Sequence, residues 1–158
     1  MMQACYNKFM KRAENKSHCP VNFALETFGD PWSLLIVRDI VFWGKRTYGE
    51  FRDSSEGIAT NVLAARLAHL EQKGILVKGP HEKDGRKDVY ALTEKGLGLI
   101  PILLEMSGWS AQHDPETTAP MQFVDAVYAD RDKMFRRIQD VVRRGGSLFG
   151  GDNALVKR

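Results

Sequence analysis

The chain has 158 residues, of which 43% are hydrophobic and 27% charged, with a net charge of +3 and a pI near 8.9. That length holds one compact domain plus an added element and excludes two full domains. The longest apolar stretches, 34–37 and 99–104, fall far short of the roughly 18–20 residues of a membrane span. The N-terminus has no apolar core of a secretory signal, so a soluble, cytoplasmic protein with no membrane partner is expected.

In chain order, residues 1–18 are polar and aperiodic and read as an arm. Cys19-Pro20 opens a helical pattern to about residue 28, with Val21, Leu25 and Phe28 near one face. Gly29-Asp30-Pro31 reads as a stop, a cap and a first-turn proline for a second helix over 31–43 that is nearly all core. Gly44-Lys45-Arg46 breaks it. Thr47 with Glu50 three residues on forms a capping box for a short helix to about 54. After a tight link comes a helix over 59–73, apolar at Val62, Leu63, Leu67 and Leu70 and stopped by Gly74. Residues 75–77 and 89–92 read as strands around a polar loop, 78–88, with Asp84-Gly85 at its tip.

Thr93 caps a helix to about 109, bent near Pro101. Residues 114–120 break the pattern, and a last helix over 121–144 repeats Val124, Val127, Phe135, Ile138 and Val142 until Gly145-Gly146 ends it. Its apolar stripe reads either as core or, being long for one small domain to cover, as a surface that pairs two subunits, and the second is favoured. The Gly-rich stretch 147–158 reads as a flexible tail. The organisation expected is an N-terminal arm (1–18), a core domain (19–112), a helical extension (113–146) and the tail. Three helices followed by a hairpin give a mainly α fold with a small β wing, a winged helix-turn-helix with an added C-terminal helix.

In that geometry the second helix of the motif enters the major groove and residues near its start reach base edges. Thr60 and Asn61 stand there, and asparagine pairs bidentately with adenine. Arg66, five positions on, is placed to reach a base or a flanking phosphate. The wing carries Lys78, His81, Lys83, Arg86 and Lys87 for phosphates or a minor groove, and Arg46 with Thr47 lies near the backbone. Residues 1–92 hold 14 Lys+Arg against 11 Asp+Glu, whereas 93–158 hold nine of each. The basic excess thus sits in the first part of the chain. A solvated module or a protein-interaction domain would share this pattern.

An enzyme is not expected: His18, His69, His81 and His113 are scattered, and no CxxC, GxSxG, Walker or GxGxxG pattern occurs. No cofactor or metal is expected either. Two cysteines, Cys5 and Cys19, are too few for a disulfide framework.

Residues 19–109 resemble the HxlR family of bacterial winged helix regulators, a branch close to the MarR type. The resemblance is carried by Cys19-Pro20-Val21, Gly29-Asp30-Pro31-Trp32-Ser33-Leu34-Leu35-Ile36 and Tyr48-Gly49-Glu50-Phe51. It continues through Gly57-Ile58-Ala59-Thr60-Asn61-Val62-Leu63-Ala64-Ala65-Arg66-Leu67, Leu70-Glu71-Gln72-Lys73-Gly74-Ile75-Leu76 and Tyr90-Ala91-Leu92-Thr93-Glu94-Lys95-Gly96. It implies a transcriptional regulator, such as a repressor, that binds an inverted-repeat operator as a homodimer built from the first and C-terminal helices. Departures are Ala59 and Ala64, where the family often has serine, so that Thr60 would have to cap the recognition helix. Residues 114–158 extend past the family core.

Cys19 matches a position at which some members sense oxidants or electrophiles. It stands at a helix N-terminus, where backbone N–H groups favour a thiolate, with Lys16 and His18 nearby and Cys5 as a candidate resolving partner. The plain alternative is an inert small hydrophobe. A second effector class is a small aromatic or aldehyde bound between dimer helices by Trp32, Phe42, Trp43, Trp109 and Phe123, residues that otherwise read as core.

Overall fold

The structure is a computed structural model that describes residues 18–156. The expected N-terminal arm, with Cys5 and Lys16, lies outside the described residues apart from His18. Among the described residues there are eight helices and one hairpin: α1 (Pro20–Phe28), α2 (Ser33–Trp43), α3 (Tyr48–Arg52), α4 (Thr60–Gln72), β1 (Leu76–His81), β2 (Asp84–Leu92), α5 (Glu94–Leu97), α6 (Ile100–His113), α7 (Met121–Ala129) and α8 (Arg131–Arg143).

The centre is α2, whose Ile36, Val37, Ile40 and Val41 are buried together with Phe51 of α3, Leu63, Leu67 and Leu70 of α4, and Ile100, Leu103 and Leu104 of α6. Each such side chain is worth about 1.5–3 kcal/mol of burial. Asp30 starts α2 by accepting the Trp32 and Ser33 N–H groups at 2.9 and 3.0 Å and the Ser33 hydroxyl. Gly44, at φ 72°, ends α2 in the left-handed conformation that a side chain resists, and the N–H groups of Gly44 and Lys45 turn back to the Ile40 and Asp39 carbonyls.

On the apolar face of α1, Val21 and Leu25 are 65% and 58% exposed while Phe28 packs against the core, and the buried residue is Thr27, whose hydroxyl donates to the Phe23 carbonyl. Four expectations are corrected. The helix after Thr93 does not bend at Pro101; it stops after one turn, and α6 begins anew with Pro101 in its first turn, where a missing N–H costs nothing. The last helix divides into α7 and α8 at Asp130, which caps α8 through Lys133 N–H at 3.2 Å. Its apolar stripe is covered within the chain, Val127, Ile138 and Val142 joining the core.

The fourth concerns the tail, which packs over 147–156. Leu148 and Phe149 N–H groups donate to the Val41 and Phe42 carbonyls at 2.8 Å, satisfying the end of α2, and Leu148 is fully buried. Phe149 sits among Phe42, Trp43 and Phe123 with ring centroids 5.3–5.8 Å apart. Glycine content signalled flexibility, but the apolar residues between the glycines decide the outcome.

Candidate nucleic-acid interface

The helix-turn-helix is α3, a link and α4. Thr47 caps α3 with both halves of the capping box formed: its hydroxyl accepts from Glu50 N–H, and the Glu50 carboxylate accepts from Thr47 N–H at 2.8 Å and Arg46 N–H at 2.9 Å. Burial opposes ionisation of Glu50, yet those donors, the Thr47 hydroxyl and Lys45 hold its carboxyl below the usual range. Tyr48 Oη donates to the Thr60 carbonyl at 2.9 Å, bracing α3 against the start of α4. Beneath lies a buried carboxylate, Asp39, bonded by Arg38 at 2.7 Å, Lys45 at 3.1 Å and the Ser54 hydroxyl, which ties α2 to the end of α3. These bonds fix the angle at which α4 is presented.

Because Leu63, Leu67 and Leu70 face inward, α4 turns Thr60, Asn61, Ala64, Ala65 and Ala68 to solvent. That face is uncharged and small enough to approach base edges closely. The alanine line was missed at sequence level, although the leucine spacing already implies it. Thr60 does not cap: Ala59 is the N-cap and supplies no side-chain bond, so the helix start keeps its exposed N–H groups for solvent or an anion.

Arg66 does not join that face. It is 14% exposed and pairs with Asp30 at 3.3 Å, so it serves as a strut between α4 and the head of α2. Burial would raise the Asp30 carboxyl, but Ser33, the Trp32 and Ser33 N–H groups and Arg66 together lower it. A second strut is His69 Nε2, 2.9 Å from the Thr27 carbonyl of α1.

The wing is longer than the apolar pattern implied, because a solvated hairpin needs no buried face. Its strands pair from Leu76↔Leu92 to His81↔Asp84 with an irregularity at Pro80/His81. The tip is Glu82-Lys83, so Asp84-Gly85 opens β2 and does not form the turn as expected. Lys83 is exposed at the tip. Arg86, 92% exposed, and Lys87 both engage Asp84, at 3.1 and 3.7 Å, and Lys78 engages Asp88 at 3.5 Å. Such exposed pairs are worth little and exchange readily for phosphate. Arg46 is half-buried beside the wing: its carbonyl accepts from Tyr90 N–H at 2.7 Å and its guanidinium donates to the Gly146 carbonyl at 3.3 Å. Thr47 makes an isolated antiparallel bridge to Val89 of β2.

Cys19 is exposed and is the N-cap of α1, its carbonyl accepting from Phe23 N–H at 3.0 Å. The five aromatics proposed for an effector do not converge: Phe42, Trp43 and Phe123 gather on Phe149, Trp32 packs on the core, and Trp109 is 65% exposed. Trp109 instead lines an open groove with Ile102, Met106 and Tyr128. Among the described residues no group of three or more His, Cys, Asp or Glu could hold a metal ion, and no helix is long and apolar enough to cross a membrane.

Residues 27–118, well over half of the chain, match the model of the HxlR-like helix-turn-helix family. The Bacillus subtilis protein YybR, described as an uncharacterized HTH-type transcriptional regulator, is 35% identical over 95 residues, 60% of this chain and 75% of its own length. The solved structure of PA1607, described as a putative transcription factor, superposes with a TM-score of 0.57 at 38% identity, covering 65% of this chain and 72% of that one. The oxidised form of the redox regulator HypR superposes with a TM-score of 0.54 at 30% identity, covering 60% and 97%. The relatives and the fold are those of transcription regulators, and the chain belongs to the HxlR family of DNA-binding helix-turn-helix transcriptional regulators.

Proposed function

We propose that the protein binds an inverted-repeat operator as a homodimer, α4 reading bases through Thr60 and Asn61 while Lys78, Lys83, Arg86, Lys87 and Thr47 hold the backbone. The observation that carries this reading is the outward face of α4, uncharged, small and fixed by three internal braces, beside a hairpin of solvent-facing cations. The dimer rests on two exposed apolar faces: Val21 and Leu25 on α1, and Ile102, Met106 and Trp109 on α6. Aromatic and aliphatic side chains left to water at helical spacing favour a second copy of the same surface. Selection of bound duplexes from a random library tests both points. Two half-sites in inverted orientation about one helical turn apart are expected, whereas a single unpaired site or no enrichment would overturn the reading.

A redox response through Cys19 is the second reading, favoured by the exposure of that residue at the head of α1 and by the likeness to HypR, itself described as a redox regulator. Modification there would shift α1, which His69 couples to α4 through the Thr27 carbonyl. Peroxide or a quinone is expected to weaken DNA binding of the wild type about 5–150-fold and to spare Cys19→Ser. Equal loss in both proteins would remove Cys19 from the account.

A further inference from the structure

The extension beyond the family match contains a helix of unusual charge, α8. Residues 131–144 contain six Lys+Arg and two Asp+Glu, a surplus of four that exceeds the net charge of the whole chain. The balance of zero over 93–158 conceals this because the acidic residues lie elsewhere. Ile138 and Val142 anchor the inner face of α8 in the core. On the outer face two cations are engaged: Arg143 with Glu94 at 2.8 Å and Asp140 at 2.5 Å, and Arg131 with Glu105 at 3.4 Å and the Tyr128 ring. Lys133, Arg136, Arg137 and Arg144 are exposed and enter no ion pair among the described residues.

The position of α8 gives these cations a direction. The Gly146 carbonyl, two residues past Arg144, accepts the Arg46 guanidinium, and the Arg46 carbonyl accepts from Tyr90 of the wing. The C-terminal end of α8 therefore abuts the segment that opens the helix-turn-helix, and the basic line runs outward from the edge of the proposed interface. From Lys133 to Arg144 it spans about 16 Å at 1.5 Å per residue, the axial length of about five base pairs.

We propose that α8 is a second phosphate-binding surface, on which Lys133, Arg136, Arg137 and Arg144 hold duplex DNA flanking the operator. The inference rests on the DNA-binding reading above. Its chemistry is sequence-independent: each phosphate neutralised releases counterions, so affinity gains a steeper salt dependence without a gain in base discrimination.

The test uses the full chain and one duplex selected by the protein from a random library, prepared with flanks of about two or about twelve base pairs on each side. Wild type is expected to bind the long-flank duplex more tightly and with a steeper dependence of log affinity on log salt. The variant Lys133→Gln/Arg136→Gln/Arg137→Gln/Arg144→Gln is expected to lose that gain, the slope falling by roughly one for each phosphate no longer neutralised, while short-flank binding stays within about twofold. Replacing the three arginines by lysine should retain it. Should the fourfold variant melt early, Arg137→Gln alone serves, with a loss of about one unit of slope. Equal wild-type affinity for both duplexes, or a long-flank gain that survives the glutamines, would overturn the proposal and leave the operator reading intact. Wild type that binds neither duplex would overturn both.

Discussion

The outward face of α4 carries no charge, whereas the wing places four cations within eleven residues, 78–88. The one arginine of α4, Arg66, is turned inward against Asp30, while Arg86 of the wing is almost wholly exposed. One element has committed its charge to rigidity and kept short side chains for close approach. The other keeps its charge in water, tempered by Asp84 and Asp88. Cationic residues of one type thus serve opposite ends, and burial decides which.

The largest effect expected is on the strut. Asp30→Ala removes the cap of α2 and leaves a half-buried guanidinium unpaired, and should cost about 2–3 kcal/mol in urea unfolding. Arg66→Met, which deletes the charge and keeps the bulk, should cost less. If Asp30→Ala costs under about 0.5 kcal/mol, typical of ordinary surface substitutions, the strut contributes nothing and Arg66 is available to DNA.

Acid should act on the same joints. The folded carboxyls of Asp30 and Glu50 lie below their ordinary values. The stability they supply is therefore complete above the unfolded values of about 4 and is lost as pH falls through the folded ones. Thermal melting from pH 6 to pH 2 should show a decline that begins near pH 4 and is smaller in Asp30→Asn. An identical decline in that variant would place the acid lability elsewhere.

The helix-turn-helix was legible because its signals are local: Thr47 with Glu50, the leucine spacing of α4, and Gly44 at a helix end. What escaped depends on partners distant in sequence. Arg66 meets Asp30 across 36 residues, and Arg46 meets Gly146 across 100. The apolar side of α1 was legible as a stripe, yet the direction of that stripe was not, since periodicity is the same for a face turned inward or outward. The tail was misjudged because composition counts glycines and not the Leu148 and Phe149 between them, which find the open end of α2.

A smaller effect is expected at the wing. Asp84 holds Arg86 and Lys87 in exposed pairs that contribute little. Asp84→Asn should free both and tighten binding to any duplex only slightly, without altering preference between sequences. A change in preference would mean that the wing reads bases.

The division between a reading helix and a holding wing is tested most directly by one salt series. Wild type, Asn61→Ala and Lys83→Ala/Arg86→Ala/Lys87→Ala are each titrated against the selected duplex and a scrambled one. Asn61→Ala should lose about 1–3 kcal/mol on the selected duplex alone with its slope unchanged. The wing variant should bind both more weakly, its slope flattening by roughly one for each phosphate left unneutralised, up to three per subunit. If Asn61→Ala weakens both duplexes equally, or the wing variant keeps the wild-type slope, the division is wrong.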